Sequence, residues 1–416
     1  MSIIRKIAKK DYDTFIDIVA NAYPGMRIIS QEDKKKTRSD LLNMIKDPAI
    51  HHYGLYRKGK LLGGMALYDF TMNILSEKAK IGGVGLVAVD LLHKKEKVCK
   101  EMISFFLERY RKKGVSLVAL YPFRPDFYGR MGFGYGIKVS QYSFKPSDLP
   151  SGISKTHLHF LKKKDKGAIR KCHYRFFEQR HGMILDLSPK WDRIFEFPEA
   201  KVVGYKKGND ILGYVIFTFK KVQEDNWIKH NVIIREFVYE NREILLELLT
   251  FLHTQLDQVD RIIYGTQDDN FHHILFDPRD GSDRIVKPLA HETNIQGVGI
   301  MYRVINTGAI FRMLKDHNFN DQNCRLNIML RDDFFKINEG KTTVHFVRGK
   351  PYLKNRGGYD VEIQLDVSHF SSLIMGAVDF KALYDYGLAE ISNDKYIDVV
   401  NRLFFTRQKP MTMTQF

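Results

Sequence analysis

The sequence predicts a mixed α/β and α+β chain in three parts, on three observations. Residues Gly82 to Gly136 read as strand, helix, strand, the order whose right-handed crossover makes two strands parallel. A stretch from Val202, VVGYKKGNDILGYVIFTF, echoes the earlier YGLYRKGKLLGGMALYDF and again leads into strand, helix and strand, so the first two parts read as an internal duplication. From about Ile295 several alternating strands are followed by helices, an α+β layout. The expected parts are residues 1–150, 151–294 and 295–416.

Ile3 to Ile7 is a short strand candidate. Asp11 can cap a helix that places Phe15, Ile18, Val19 and Ala22 on one face until Pro24. A second helical segment carries Leu41, Leu42 and Ile45, and two strands about a Lys-Gly turn follow from His52. Val84 to Val89 is an apolar, β-branched run of strand length, and Met102, Ile103, Phe106, Leu107 and Tyr110 recur at helical spacing. Ser116 to Tyr121 is the second strand. A ligand therefore belongs at the C-terminal ends of these two strands. The loop between Val89 and Val98 reads DLLHKKEKV. Backbone N–H groups at the helix start, flanked by Lys94, Lys95 and Lys97, suit a phosphate or pyrophosphate. Ile137 to Phe144 alternates as a strand, and PSDLPSG from Pro146 to Gly152 is a linker that ends the first part.

In the copy, Val89 to Leu107 spans 18 positions but Val238 to Leu252 only 14, and the loop reads YENRE. A carboxylate facing a pyrophosphate is repelled. The second part is expected to be structural, shaping the pocket without binding cofactor.

The 416 residues, 44% of them hydrophobic and 12% aromatic, suffice for packed cores. A formal charge of +17 allows nucleic acid, an anionic membrane surface or a polyanionic cofactor. The lysine tracts at 34–36 and 162–166 are short, acid-flanked and free of interleaved aromatics, so no nucleic-acid partner is expected. Cys99, Cys172 and Cys324 are far apart without CxxC spacing, which indicates neither a disulfide framework nor a zinc site and fits a reducing cytoplasm. The N-terminus lacks a signal peptide's apolar stretch, and no apolar run approaches the roughly 18 residues of a membrane span.

Tyr128 lies just past the second strand, where a ligand at the strand ends would touch it. Its phenol can protonate a thiolate; the bland alternative is an aromatic that anchors a turn. The pairs His51–His52 and His272–His273 lack metal-ligand spacing, DPRDGSD from Asp277 to Asp283 reads as a turn rather than a calcium loop, and Cys99 sits among apolar helix positions as a packed thiol.

The Gly82–Gly136 stretch resembles the acetyl-CoA motif of the GNAT N-acetyltransferases. FYGRMGFGYG together with a chain ending in Phe is similar to the Eis (enhanced intracellular survival) branch. The resemblance implies two tandem GNAT-like domains, the second degenerate, and a sterol-carrier-protein-like domain. It implies acetyl-CoA as acetyl donor, with no metal, held along Val87, Ala88 and Val89, by Lys94, Lys95, Glu96, Lys97, Val98, Cys99 and Lys100, and by Phe123 and Arg124. Lys97 stands where the first loop glycine of most GNAT enzymes would fall, so it is tolerable there only with a helical φ. A backbone N–H near Val89 would serve the oxyanion, while the side chains of Val87 and Val89 read equally well as plain core residues. Tyr128 would be the general acid, and the terminal carboxylate of Phe416 would hold Tyr128 or a water and accept the amine proton. The segment with Pro24 and Gly25 would line the substrate side. The acceptor implied is a cationic amine, an aminoglycoside, polyamine or lysine side chain, although Gln415 supplies no negative charge beside Phe416. Eis relatives assemble as hexamers, which implies a homo-oligomer. The rival reading is a non-enzymatic lipid- or protein-binding scaffold acting through the last domain.

Overall fold

The Lys-Gly turn expected after His52 is the first corner of the first sheet. In the computed structural model, which describes residues 2–152, 154–353 and 357–416, Lys58 and Gly59 have φ of 49° and 78°, as a type I′ hairpin requires. The strands are β1 (Ser2–Lys6), β2 (Ile50–Arg57), β3 (Lys60–Ile74), β4 (Glu77–Val89), β5 (Leu117–Leu120) and β6 (Gly134–Tyr135), with helices α1 (Tyr12–Ala22), α2 (Gln31–Met44), α3 (Val98–Lys112) and α4 (Pro125–Gly129). β4 is longer than the expected Val84 to Val89. Gly82, Gly83 and Gly85 are poor strand formers alone, yet β3 pairs antiparallel along this whole stretch.

Met102, Ile103, Phe106 and Leu107 of α3 pack with Leu62, Met65 and Leu67, each fully buried side chain contributing about 1.5–3 kcal/mol. Leu61 and Ala88 meet Phe15, Ile16 and Val19 of α1. Asp11 stands before α1 as expected but makes no cap bond; its carboxylate accepts the Tyr56 hydroxyl at 2.8 Å.

The duplication is visible in β7 (Val139–Phe144), β8 (Leu158–Phe160), α5 (Lys166–Gln179), α6 (Ser188–Arg193), β9 (Lys201–Lys207), β10 (Asp210–Lys221), β11 (His230–Tyr239), α7 (Arg242–His253) and β12 (Val259–Thr266). A small hairpin, β13 (Ile285–Lys287) and β14 (Ala290–His291), precedes β15 (Asn294–Gly297) and β16 (Met301–Val304). The first sheet has the order β1-β2-β3-β4-β5-β16-β6 and the second β15-β7-β12-β11-β10-β9-β8. β7, expected to close the first part, thus pairs with β12, whereas β16, expected to open the third, pairs with β5. The two sheets exchange a strand. Alternation marks a strand's existence but not its partner, since pairing between distant segments is a tertiary choice.

The C-terminal part contains α8 (Thr307–Met313), β17 (Cys324–Arg331), β18 (Gly340–Val347), β19 (Lys350–Leu353), β20 (Val361–Asp366), α9 (Val367–Ile374), α10 (Phe380–Asp385), β21 (Ala389–Ile391) and α11 (Ile397–Phe404). Its core is continuous with Ala66, Tyr68 and Phe70 of β3. Arg303 of β16, fully buried, donates to both carboxylate oxygens of buried Asp332 at 2.8 and 3.0 Å, so this part is fixed to the first sheet by an ion pair as well as by packing.

Candidate active site

β4 and β5 pair in parallel only from Gly82 with Val118 to Val84 with Leu120. Beyond that, β4 carries one more residue than β3 between the pairs Ala66–Gly85 and Gly64–Ala88, and Leu86 has φ 48°. Such a bulge bends its strand, and a cleft opens where the parallel strands end. Val87 borders the cleft, whereas the Ala88 and Val89 side chains pack with α1 and α3.

In the loop that follows, Lys95 and Lys97 have φ of 67° and 62°. Lys97 is therefore not helical, as the sequence reading required, but left-handed like the glycine it replaces, at a cost of about 1–2 kcal/mol. Left-handed residues of this kind gather successive N–H groups into an anion-binding concavity. Lys97 precedes α3 without a side-chain cap bond, so the first-turn N–H groups of Val98, Cys99 and Lys100 have no capping acceptor. Lys94, Lys95 and Lys97 are exposed and have no ion pair among the described residues. Glu96 is occupied: Arg57 donates to its carboxylate at 3.1 Å, to its carbonyl at 2.9 Å and to Glu101 at 2.7 Å, and His93 lies 3.2 Å from it. Lys100 points over the Phe334 ring, and Arg124 is held by Asp126 at 2.6 Å.

The matching loop of the second sheet is already closed. Asn241 caps α7 by accepting the Ile244 N–H at 3.1 Å, and Glu240 pairs with Arg175 at 2.7 Å.

Tyr128, just past the second strand as expected, sits in the short helix α4 and is buried. Gly132, with φ 80°, has no room for a Cβ beside the Arg303 guanidinium, nor Gly134 beside the Ser368 carbonyl, which accounts for these two glycines. The Tyr128 ring meets Phe123, Phe127 and Phe133, and its hydroxyl makes no hydrogen bond to a described residue. Burial, then Cys99 and Tyr23, push its pKa far above that of an ordinary phenol. Burial raises the Cys99 thiol to about 12, and burial with the Cys99 charge raises Tyr23 to about 12. The Tyr23 hydroxyl donates to the Val87 carbonyl at 2.8 Å. These groups stay protonated near neutrality, so Tyr128 presents an O–H and not a phenolate to the cavity.

A cavity of about 370 Å³ joins Tyr128 to Tyr23, Met26, His52, Tyr68, Tyr121, Phe123 and Phe416. His52 is buried, with Nδ1 3.0 Å from the Tyr12 hydroxyl and no partner for Nε2. Its pKa is lowered to about 4, first by burial and then by His51, so its ring is neutral.

The tail reaches this cavity over the second sheet. Met411 N–H donates to the His181 carbonyl at 2.9 Å, Thr412 N–H to Gln267 at 2.7 Å, and the Thr414 hydroxyl to Asp186 at 2.6 Å. Tyr121 donates to the Thr414 carbonyl at 3.0 Å. The Phe416 ring then packs 4.8 Å from Phe70 and 5.5 Å from Tyr68 and Tyr121. Asp186 belongs to a buried cluster with His173 and Glu236, whose donor atoms lie within 4.8 Å of one another. The Lys190 ammonium bridges Asp186 and Glu236, supplying the positive charge that such a donor set would otherwise seek in a metal ion. Burial opposes the charge on Glu236, yet Lys190 and His173 hold its pKa below the carboxylate range. At the corresponding place in the second sheet, a cavity of about 380 Å³ beside Tyr239 and Tyr264 is bordered by Arg407, Lys409, Met411 and Met413.

Of the residues singled out in the sequence, Val87, Phe123, Tyr128 and Phe416 meet at the cavity, and Lys94, Lys95, Lys97, Val98, Cys99 and Lys100 form the adjoining loop and helix start. Tyr23, Tyr68, Tyr121, Gly83 and Gly85 were not singled out, and His52 was weighed only as half of a pair without metal-ligand spacing. Only Tyr23, next to the Pro24–Gly25 segment expected on the substrate side, had a signal.

Residues 3–136 match an acetyltransferase (GNAT) domain family, residues 183–304 a second acetyltransferase (GNAT) domain family, and residues 310–413 a sterol carrier protein domain family. Among curated proteins none matches the sequence. Over the whole length of both chains the fold is similar to that of a GCN5-related N-acetyltransferase from Anabaena variabilis ATCC 29413 (14% identity, TM-score 0.81). It is also similar to a probable N-acyltransferase from Enterococcus faecalis V583 (17%, 0.78) and to Eis1 from Mycobacterium abscessus (18%, 0.79), again over both full lengths. At these identities the likeness is one of fold, and the domain families supply the chemistry. With two GNAT domains closed by a sterol carrier protein domain, the chain is an acetyltransferase of the Eis-like architecture.

Proposed function

We propose that the chain transfers acetyl directly from acetyl-CoA to an amine in the first-domain cleft. The observation that carries this is the meeting, in one cavity, of the diverging strand ends, a protonated Tyr128 and Phe416, beside an uncapped helix start flanked by free lysines. The pyrophosphate is held by the N–H groups of Val98, Cys99 and Lys100 with Lys94, Lys95 and Lys97 around it, and the thioester lies along Val87 to Val89. The neutral amine attacks the thioester carbonyl, and a backbone N–H of this stretch donates to the oxyanion, worth several kcal/mol in such a site. As the carbon–sulfur bond breaks, Tyr128 gives its proton to the thiolate. The one proton that the amine nitrogen sheds passes through the carboxyl of Phe416, where the chain stops at that residue, and restores Tyr128.

The second domain is proposed to bind no acetyl-CoA, since its helix is capped by Asn241. No metal takes part in this scheme. Self-association is supported by the apolar exposure of Phe276, Val286 and Leu289 on the segment between β12 and β15 and of Ile295 in β15. No helix among the described residues is long and apolar enough to cross a membrane, and a cytoplasmic setting without nucleic-acid or membrane partners is proposed. Thiol release from acetyl-CoA in the presence of amines tests the reading: release that depends on an amine supports it, whereas binding of lipid by the chain with no amine-dependent release would favour the scaffold.

A further inference from the structure

Among the described residues, the wall of the active-site cavity contains no aspartate, glutamate, lysine or arginine side chain. Its acceptor side is built from Tyr23, Met26, Leu41, Met44, Tyr68 and Leu86. Leu41 and Tyr68 are buried and continuous with the hydrophobic cores on either side, and Met26 stands half exposed at the mouth (51%). The nearest buried carboxylate along the tail, Asp186, is already taken by Lys190 and by the Thr414 hydroxyl. The polar atoms that remain are tyrosine hydroxyls and the ring of neutral His52, none of which balances a positive charge. Where the chain stops at Phe416, its carboxyl is then the one negative group bordering the cavity among the described residues.

A polycationic acceptor entering such a wall would leave every ammonium but one stripped of water and without a counter-ion, which is strongly unfavourable. A single amine meets no such difficulty. The apolar surroundings favour its neutral form, the form that attacks, and the aromatic walls accept a flat apolar body through edge-to-face contacts.

We infer that the acceptor is an arylalkylamine, one primary amine on a short chain from an aromatic ring, and not an aminoglycoside or a polyamine. This rests on the acetyltransferase reading and deepens it. The ring lies between Tyr23, Tyr68 and Leu86, and the amine points past Phe416 to the thioester at the strand ends. The bond made is an amide nitrogen–carbon bond, the bond broken is the thioester carbon–sulfur bond, and the products are the N-acetyl arylalkylamine and coenzyme A.

The experiment uses the full chain. Acetyl-CoA binding is first measured by calorimetry; absence of binding overturns the acetyltransferase reading itself, and the acceptor inference with it. With binding present, kcat/KM is compared for 2-phenylethylamine, spermidine and kanamycin at saturating acetyl-CoA, because specificity is the ratio of these values. The expected result is a value for 2-phenylethylamine about 100-fold or more above both others. Equal or faster turnover of spermidine or kanamycin overturns the acceptor inference and leaves the acetyltransferase reading intact, as does bound acetyl-CoA with turnover of none of the three. Met26→Glu, at the half-exposed mouth where a charge is tolerated, places a carboxylate in the wall. It should raise kcat/KM for spermidine by about tenfold relative to 2-phenylethylamine; an unchanged ratio counts against the wall as the source of selectivity.

Discussion

The carbonyl carbon of Phe416 lies so close to Gly85 that a Cβ on that glycine would stand 2.8 Å from it, and one on Gly83 would stand 3.0 Å from the Phe416 ring. Gly85, with Gly83 beside it, is therefore a seat for the tail, and Phe416 is held at the cavity by backbone contact as well as by its ring.

Gly85→Ala should move Phe416 without disturbing the loop that faces coenzyme A. Overpacking of this kind costs about 1–3 kcal/mol. Acetyl-CoA affinity should be kept while kcat falls about tenfold or more, the loss of positioned proton transfer. Calorimetry and steady-state rates on one preparation check it; an unchanged kcat would mean that Phe416 only fills space.

Tyr128→Phe keeps the ring among Phe123, Phe127 and Phe133 and removes the proton. A fall in kcat of roughly 10²–10⁴-fold with little change in acetyl-CoA affinity is expected. Full activity in this variant would return Tyr128 to the role of an anchor.

How much of this was legible in the sequence follows from which contacts are local. The periodicity of Met102, Ile103, Phe106 and Leu107 is an intrahelical signal, and α3 begins at Val98 as expected. The loop lysines and Tyr128 lie near strand ends that are themselves local features. The exchange of β7 and β16 was not legible, because Val139–Phe144 and Met301–Val304 read as strands in either sheet. Nor were Tyr68, Tyr121 and His52, whose places in the cavity depend on the C-terminal part and α1 closing over the first sheet. The glycines of β4 even argued against strand, since the side chains that crowd them, Tyr110 at Gly82, Phe70 at Gly83 and Phe416 at Gly85, come from other elements.

Lys97→Gly separates the loop's two requirements. The left-handed φ of 62° is easy for glycine and strained for lysine, so the variant should gain up to about 1 kcal/mol in stability. It should also bind acetyl-CoA more weakly, having lost one positive charge. Denaturant melts and calorimetry check both; loss of stability with unchanged affinity would contradict this view of the loop.

His52 makes stability depend on pH. Its folded pKa, about 4, is depressed below the unfolded value near 6.5. The unfolded state therefore binds more protons between these values, and stability is fully present above about 6.5 and is lost as pH falls toward 4. The contribution at stake is about 3 kcal/mol. The pH slope of thermal stability in this window should be shallower in His52→Gln; an identical slope would show that other groups cause it.

The most direct measurement is the stoichiometry of acetyl-CoA binding by calorimetry, on the chain and on a variant with Lys94, Lys95 and Lys97 changed together to Glu. One site per chain is expected, lost or weakened by about a hundredfold or more in the variant, since like charges then face the pyrophosphate. Two sites per chain, or one site indifferent to the three substitutions, would contradict a single donor site at the uncapped start of α3.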